Sequence, residues 1–424
     1  MRQLKSSFRF LWNNRFFSMI NIAGLTIGFI CVLVISIWVI NQLKYDRHVR
    51  NFQNIYRLTV EVSSSSGYHS HFARCWQHWT RQIQNYYSDI KRIALLAPLR
   101  RTAVKLDEIK FNAEQVYRCN KETLEVFDIK ILMGDSNPQF GEPNMLLLSE
   151  SVYKTYFGNT SPIDSIIEIS GAFDTEFMDF KVVGVFKDFP KTSHLHPDIL
   201  ISLPDPDNFE GWAYTYLELS DGSKSSDIIE KFPDYAKKHL EEETRNTSDI
   251  HLQNITDIHL HSKKDREIET NGDIKVVWLF SSIGIAVLVI TLFNFLNLNL
   301  ILQLKRNNIL IIKKILGSDI LELAKGIFFE ITIQIILACS ISLIIVYFIK
   351  PFGSLYIYED NNILFLSFLQ SSILCVALIF SLIPSFLIAR RQWNKSITIK
   401  GSKIDDSYLL KKGNTGFRKV LVIL

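Results

Sequence analysis

The sequence lacks the cysteine spacing of a metal or redox site. Its five cysteines, Cys31, Cys75, Cys119, Cys339 and Cys375, are scattered and form no CxxC pair. This pattern excludes the common zinc-ribbon and thioredoxin-like motifs. Cys75 and Cys119 lie in the polar middle of the chain and could form a disulfide if that region faces an oxidising compartment.

The sequence also lacks an excess of charge and the common catalytic motifs. Lys and Arg number 47 against 43 Asp and Glu, which gives a formal net charge of +4 over 424 residues, so we expect no nucleic-acid partner. The patterns GxxxxGK(S/T), GxSxG and HExxH are absent. We therefore expect a protein that is not an enzyme, binds no metal or cofactor, and leaves ATP binding to a separate partner subunit.

Two His-Leu-His triplets, at 194–196 and 259–261, are candidate metal ligands. Alternate residues of a strand face the same side, so each triplet could offer two ligands. No third ligand stands at a motif spacing. We interpret these residues as surface or turn histidines, and an enzyme that uses them is a further hypothesis.

Long apolar runs are what the sequence has in abundance. Residues 19–40, 276–304, 331–349 and 361–389 contain no charged side chain. Each run is about the 20 residues that cross a ~30 Å hydrocarbon core as a helix, or longer. The sequence predicts a membrane α-helical bundle of four transmembrane helices.

Basic residues flank these runs on one side of the membrane. They are Arg2, Lys5, Arg9 and Arg15 before the first run, Lys305, Arg306, Lys313, Lys314 and Lys325 between the second and third, and Arg390, Arg391 and Lys395 after the fourth. The positive-inside rule places these segments, including the N-terminus, in the cytoplasm. The residues between the first two runs, 44–275, are then extracytoplasmic, and we call them the insert domain.

The insert domain has the pattern of a mixed α/β fold. Segments 55–62, 145–148 and 180–186 are rich in β-branched and apolar residues and predict strands. Segments 71–87, 149–157 and 225–242 predict helices, the second with Ser149 as its N-cap. The fold class is therefore four membrane helices with a large α/β domain between the first and the second.

Small and polar residues within the apolar runs are candidate helix-packing positions. Gly24 and Gly28 form a GxxxG motif in the first run, which allows another helix to approach closely. Asn294, Asn297 and Asn299 place amides at membrane depth in the second run, where an unpaired amide is costly. We expect all three asparagines to face other helices or a cavity, in helix packing or along a transport path, and we name Asn294 and Asn297 as helix-packing residues.

The cytoplasmic segment 305–330 alternates basic and apolar residues at near-helical spacing, with Gly317 as a break. The pattern predicts a short amphipathic helix at the membrane surface. It could rest on lipid or contact a cytosolic partner.

These features together resemble the MacB/FtsX-type ABC transporter permeases, whose units have one span, a large extracytoplasmic domain and three further spans. LLLSESVYKTYFGNTSPI (146–163) and VVGVFKDFPKTSHLHPDILIS (182–202) resemble core blocks of the MacB periplasmic domain. The other similar segments are 12–18, 24–28, 45–47, 256–260, 271–273 and 294–298.

The resemblance implies a division of the chain into four parts. Residues 1–43 are the cytoplasmic N-terminus and first span, and 44–275 are a MacB-like periplasmic domain. Residues 276–392 are an FtsX-like domain with the coupling loop 305–330. Residues 393–424 are a linker and, from FRKVLVIL at 417–424, the start of a truncated second unit with a fifth span.

In this family the segment after the second span contacts the ATPase and has a pattern close to KRxxEIGIRKxLGA. The matching residues are Lys305, Arg306, Lys313, Lys314, Leu316, Gly317 and Ser318. Ile309 replaces the acid and Ile311 the glycine of that pattern. The two departures motivate an alternative hypothesis, a membrane-anchored sensing or binding module that has lost ATPase coupling.

The leading hypothesis from the resemblance is a permease subunit of an ABC transporter in the bacterial inner membrane. It transmits ATP-driven conformational change from a cytosolic ATPase to the periplasmic domain, for export or mechanotransmission. The implied partners are the ABC ATPase, a second permease unit that is fused or homodimeric, membrane lipid, and periplasmic or outer-membrane proteins.

Overall fold

The computed structural model describes residues 12–63, 67–80, 83–99, 102–106, 109–134, 140–158, 160–170, 177–304, 317–349 and 363–395. The chain divides into two compact units. One is Asn41–Ile274, which largely coincides with the segment 44–275 and is called the insert domain from here on, and the other is a membrane unit formed by Met1–Ile40 and Lys275–Leu424. The predicted fifth span and most of residues 393–424 lie outside the described residues.

Helices and strands are numbered here in chain order within the described residues. The α-helices are α1 (Arg15–Leu43), α2 (Ile83–Tyr86), α3 (Glu122–Val126), α4 (Glu150–Tyr156), α5 (Ser225–His239), α6 (Glu242–Thr247), α7 (Ile258–His261), α8 (Ile274–Leu304), α9 (Ile320–Ile349) and α10 (Ile363–Lys395). The strands are β1 (Ile55–Ser63), β2 (His69–Phe72), β3 (Cys75–Trp76), β4 (Ile90–Leu99), β5 (Thr102–Leu106), β6 (Ile109–Ala113), β7 (Val116–Cys119), β8 (Ile131–Gly134), β9 (Met145–Ser149), β10 (Ile166–Ser170), β11 (Met178–Phe186), β12 (Ile199–Ser202), β13 (Trp212–Leu219) and β14 (Ser248–Asn254).

The membrane unit contains α1, α8, α9 and α10, and each is long and apolar enough to cross a membrane. Their buried side chains form one apolar core, with Phe29, Leu33, Ile331, Ile335 and Ala377 among its members. The α/β insert domain lies between the first and second of these helices in the chain. The predicted fold class is confirmed.

The third membrane helix begins earlier than the sequence predicted. Its apolar run starts at Ile331, yet α9 begins at Ile320 and includes Glu322, Lys325 and Glu330. Residues 320–330 of the predicted coupling loop are therefore the first turns of a long helix. Charged residues end an apolar run, but they do not end a helix, because their backbone hydrogen bonds are as good as those of apolar residues.

The insert domain is built on one mixed sheet with the strand order β14-β1-β13-β4-β7-β12-β9-β11-β10-β5-β6, on which β2, β3 and β8 pair at the sides. Strand β13 is buried at seven of its eight residues, as expected for a central strand covered on both faces. Strands β9 and β11 are parallel, and α4 follows β9 directly. Ser149 caps α4, since its Oγ accepts a hydrogen bond from the Val152 N–H, as predicted.

The predicted helix over 71–87 is wrong. The structure has β2, β3 and the short helix α2 there, because β2 pairs with β1 at Glu61 and His71 and β3 pairs with β13. Pairing of β2 with the preceding strand β1 and of β3 with the distant strand β13 overrides local helical spacing. Cys75 and Cys119 are free thiols buried in two different core clusters, so the conditional disulfide between them is not formed.

Candidate functional site

Most of the predicted ATPase-coupling residues fall outside the residues that the structure describes. Lys305, Arg306, Lys313, Lys314 and Leu316 are outside the described residues, as are Ile309 and Ile311, whereas Gly317 and Ser318 are described. Gly317 has a φ of +91°, a conformation that glycine adopts without strain. Asp319 Oδ1 accepts a hydrogen bond of 2.7 Å from the Ile320 N–H. A turn with a carboxylate at its end therefore leads into α9, where the helix dipole favours negative charge.

The two glycines of the GxxxG motif have different surroundings. A Cβ atom on Gly28 would overlap both Cγ2 and Oγ1 of Thr291. Helices α1 and α8 are therefore in close contact at Gly28, as small residues allow in membranes. A Cβ atom on Gly24 would meet no heavy atom of the described residues within 4 Å, so Gly24 makes no close helix contact within that part of the chain.

We expect Gly28→Ala to lower the thermal stability of the full chain in detergent, because the added methyl overlaps Thr291. Overpacking of this kind costs about 1–3 kcal/mol. Gly24→Ala adds the same methyl to the same helix where no described residue lies within 4 Å, and it should change stability by less than about 0.5 kcal/mol. Adding Thr291→Ala to Gly28→Ala should restore part of the loss. Equal melting temperatures for the two single variants would contradict the contact.

The asparagines of α8 are not equally buried. Asn294 is exposed and Asn297 is half-buried, so their helix-packing role stays a prediction. The amide buried in the bundle is Asn299, whose Oδ1 accepts a hydrogen bond of 3.2 Å from Gln334 Nε2. Gln334 Oε1 in turn accepts one of 3.4 Å from Asn21 Nδ2.

Asn21, Asn299 and Gln334 form what we call the polar hub. It joins α1, α8 and α9 through side chains that are at most 2% exposed. Hydrogen bonds between membrane helices contribute about 0.6–2 kcal/mol each. Glu330 is also buried and lies one helical turn before Gln334, on the same face of α9. An ionisable residue inside a membrane helix marks a candidate functional position.

In the insert domain, Asp46 fixes the chain as it leaves α1. It has a φ of +60°, and its N–H donates to Thr192 O at 2.8 Å. Its Oδ1 accepts hydrogen bonds from the N–H of His194 at 3.0 Å, from His194 Nδ1 at 2.8 Å and from Ser193 Oγ at 3.2 Å. Burial favours the neutral acid, but the charge and hydrogen bonds of His194 outweigh it and lower the pKa of Asp46.

His194 carries this contact into the sheet. Its Nε2 lies 2.7 Å from the Tyr216 hydroxyl on β13. His194 is 3% exposed and His259 is 8% exposed, so neither is a surface residue. His194 does lie at a bend, directly after the turn at 191–192, whereas His259 lies in a helix, so the interpretation as a surface or turn residue is wrong for His259. His261 is exposed, as that interpretation expects. His259 and His261 lie on the short helix α7 rather than on a strand.

His196 pairs with Glu269, at 2.7 Å between Nδ1 and Oε1. Burial opposes a charged imidazole, but the hydrogen bond and charge of Glu269 prevail and raise the pKa of His196. The same pairing lowers the pKa of Glu269 against the effect of its burial. Glu269 also accepts a hydrogen bond of 2.9 Å from Gln115 Nε2. The segment before α8 is thereby connected to the loops that contain His196 and Gln115.

Arg57 on β1 ties the same segment to the sheet. Its side chain is fully buried and forms a bidentate ion pair with Glu267, at 2.6 Å and 2.9 Å. Its Nη2 also donates to Gln253 Oε1 and Ser262 Oγ, at 2.9 Å and 3.0 Å. Burial would raise the pKa of Glu267, but Arg57 holds it below its ordinary value.

This arrangement connects and positions chain segments. Within the part of the chain that the structure describes, no group of three or more His, Cys, Asp or Glu side chains is placed to hold a metal ion. Sequence reasoning missed the pairs Asp46–His194 and Arg57–Glu267. A signal for the first was present, since Asp46 and His194 both lie in segments that resemble family motifs.

Several solved domains resemble part of this chain. One is a domain of a protein assigned as a permease from Porphyromonas gingivalis, with 14% identity and a TM-score of 0.43, covering 55% of this chain and 98% of that one. The periplasmic region of MacB from Actinobacillus actinomycetemcomitans has 14% identity and a TM-score of 0.34, over 50% and 92%. The extracellular domain of the noncanonic ABC-type transporter YknZ from Gram-positive bacteria has 13% identity and a TM-score of 0.35, over 47% and 100%.

No curated protein matches the chain. The family is instead shown by a match of the sequence to the MacB-like periplasmic core domain over residues 18–235, which is just over half of the chain. The chain belongs to the family of MacB-like permeases that this core domain defines.

Proposed function

We propose that the chain is the permease subunit of an ABC transporter and transmits ATP-driven motion from a cytosolic ATPase to the insert domain. The family match over residues 18–235 carries the permease role. In this proposal the chain lies in the bacterial inner membrane with a cytoplasmic N-terminus, and the insert domain is periplasmic. The protein itself is not an enzyme, and ATP is bound by the partner subunit.

The polar hub supports the transmission step. Asn299 lies five residues before the end of α8, and Gln334 lies in α9, so the hub joins the two helices that flank the predicted coupling residues. Asn21 extends the connection to α1, which leads into the insert domain. ATP binding would favour one arrangement of the helices through its differential contact with the segment around 313–318.

The proposal also assigns partners. Two ATPases require two permease units, either fused or as a homodimer. Periplasmic or outer-membrane proteins would receive the motion of the insert domain, in export or in mechanotransmission.

Replacing Leu316 and Gly317 with Asp should weaken co-purification of the ATPase with the chain from native membranes. A carboxylate in an apolar contact costs more than about 1.4 kcal/mol, so we expect at least about a tenfold loss of recovery. Because Asp at position 317 would be strained at the positive φ of Gly317, Leu316→Asp alone tests the contact without that strain. Mass spectrometry of the purified complex measures the recovery.

The matched control adds two negative charges elsewhere. Ser226→Asp and Asn246→Asp lie at exposed positions of α5 and α6 and should leave recovery unchanged. Undiminished recovery with Leu316→Asp would count against this contact. If the wild-type chain recovers no ATPase at all, the sensing-module alternative replaces the proposal.

A further inference from the structure

The side chain of His259 lies where three segments of the insert domain meet. Its ring stacks on Tyr45, with centroids 3.4 Å apart and planes at 4°. Its Nε2 lies 2.6 Å from Gln42 Oε1, and Gln42 belongs to the last turn of α1. Since an amide oxygen only accepts, Nε2 carries the proton and donates.

The third segment is the one that enters α8. A Cβ atom on Gly272 would lie 3.1 Å from His259 Nε2 and 3.3 Å from Gln42 Oε1. Gly272 stands two residues before α8 begins at Ile274. The lack of a side chain at Gly272 therefore lets this segment pack directly on the pair formed by His259 and Gln42.

The segment after α1 and the segment that enters α8 are also bound to the rest of the insert domain. Next to Tyr45, Asp46 is bonded to His194, which contacts Tyr216 on the central strand β13. Next to Gly272, Asn271 Nδ2 donates to Ser262 O at 3.2 Å. Ser262 is in turn bonded to Arg57 on β1. Contacts thus continue from the junction at His259 to two neighbouring strands of the sheet.

We propose that His259 is a positioning residue that holds the end of α1 and the segment entering α8 together, so that displacement of either one moves both relative to the sheet. This inference rests on the proposed function, because it names the residue through which helix motion would reach the insert domain.

The ring of His259 is suited to this role because it stays neutral. Burial lowers its pKa to about 4, while Asp46 and Glu269 favour the charged form and His194 opposes it. A neutral ring stacks on Tyr45 and needs no counter-ion. Its Nε2–H is free to bind Gln42 at physiological pH.

The first arm of the test needs no ATPase. In the full chain in lipid nanodiscs, hydrogen exchange measured by mass spectrometry should show His259→Ala accelerating exchange of residues 42–48 and 270–274 by at least about tenfold. His259→Phe keeps the stack on Tyr45 but cannot donate to Gln42, so it should restore only part of the protection. His261→Ala, on the same helix but exposed, is the matched control and should match wild type. Unchanged exchange in His259→Ala would overturn the proposal.

The second arm adds the ATPase that co-purifies with the wild-type chain. ATP should alter exchange in β1 and β13 of the wild type and of His261→Ala. In His259→Ala, ATP should leave the exchange of β1 and β13 unchanged, although the ATPase still co-purifies with this variant. A full ATP response in His259→Ala would overturn the positioning role. No ATP response in the wild type would instead reject the proposed function, and the first arm would still decide whether His259 holds the two segments.

Discussion

Glu267→Gln should destabilise the insert domain by about 3–5 kcal/mol, because it leaves the fully buried guanidinium of Arg57 without its counter-ion. The amide preserves the shape of the side chain, so the loss reports charge rather than a cavity. Hydrogen exchange of β1 in the full chain, followed across a urea series, measures the free energy of opening.

The matched control for this prediction is Glu150→Gln, which removes the charge of a carboxylate paired with Lys154 on the surface. It should cost about 0–1 kcal/mol. A double-mutant cycle with Arg57→Gln should show strong coupling, since the double variant removes both charges. Equal losses for Glu267→Gln and Glu150→Gln would show that the buried pair does not stabilise the domain.

The membrane half of the fold could be predicted because its signal is local. Runs without charge predict helices, since lipid requires every backbone group to be bonded within the segment. The start of α9 could not be located in this way, because the turn at Gly317 and Asp319 sets it rather than the charge of Glu330. The cap at Ser149 was predictable for the same local reason, since it depends on residues three apart.

The missed features depend on residues far apart in the chain. Asn21 and Gln334 are separated by 313 positions, and each looks like an isolated amide in an apolar run. Asn294 and Asn299 are indistinguishable in the sequence, because their burial depends on which face of α8 meets its neighbours. The strand β2 was predicted as helix for a different reason, since its partner β1 is close in the chain but the spacing of its own side chains does not show the pairing. Local sequence patterns therefore specify helices and strands, whereas the contacts between them depend on how the whole chain packs.

Asp46→Ala should destabilise the insert domain by about 3–5 kcal/mol, since it leaves His194 and Ser193 without a buried acceptor. Alanine at a φ of +60° adds about 1–2 kcal/mol of backbone strain. Asp46→Asn keeps an acceptor and tolerates this backbone conformation, so it should recover part of the loss. Hydrogen exchange of β13 across a urea series measures both variants.

Acid titration separates the charge of Asp46 from its geometry. Because the folded-state pKa of Asp46 is lowered from its ordinary value of 3.8, its ionised form stabilises the domain above that pH, and this contribution is lost as pH falls through the folded pKa. The stability of Asp46→Asn should therefore fall less steeply than that of the wild type in this range. Asp164→Ala is the matched control for Asp46→Ala, because Asp164 also has a positive φ, of +66°. Its side chain is exposed and paired with Lys181, so this variant should lose only the backbone strain and a surface ion pair. If Asp46→Asn and the wild type lose stability in parallel below pH 4, the Asp46–His194 contact does not depend on the carboxylate charge, and hydrogen-bond geometry alone fixes the chain as it leaves α1.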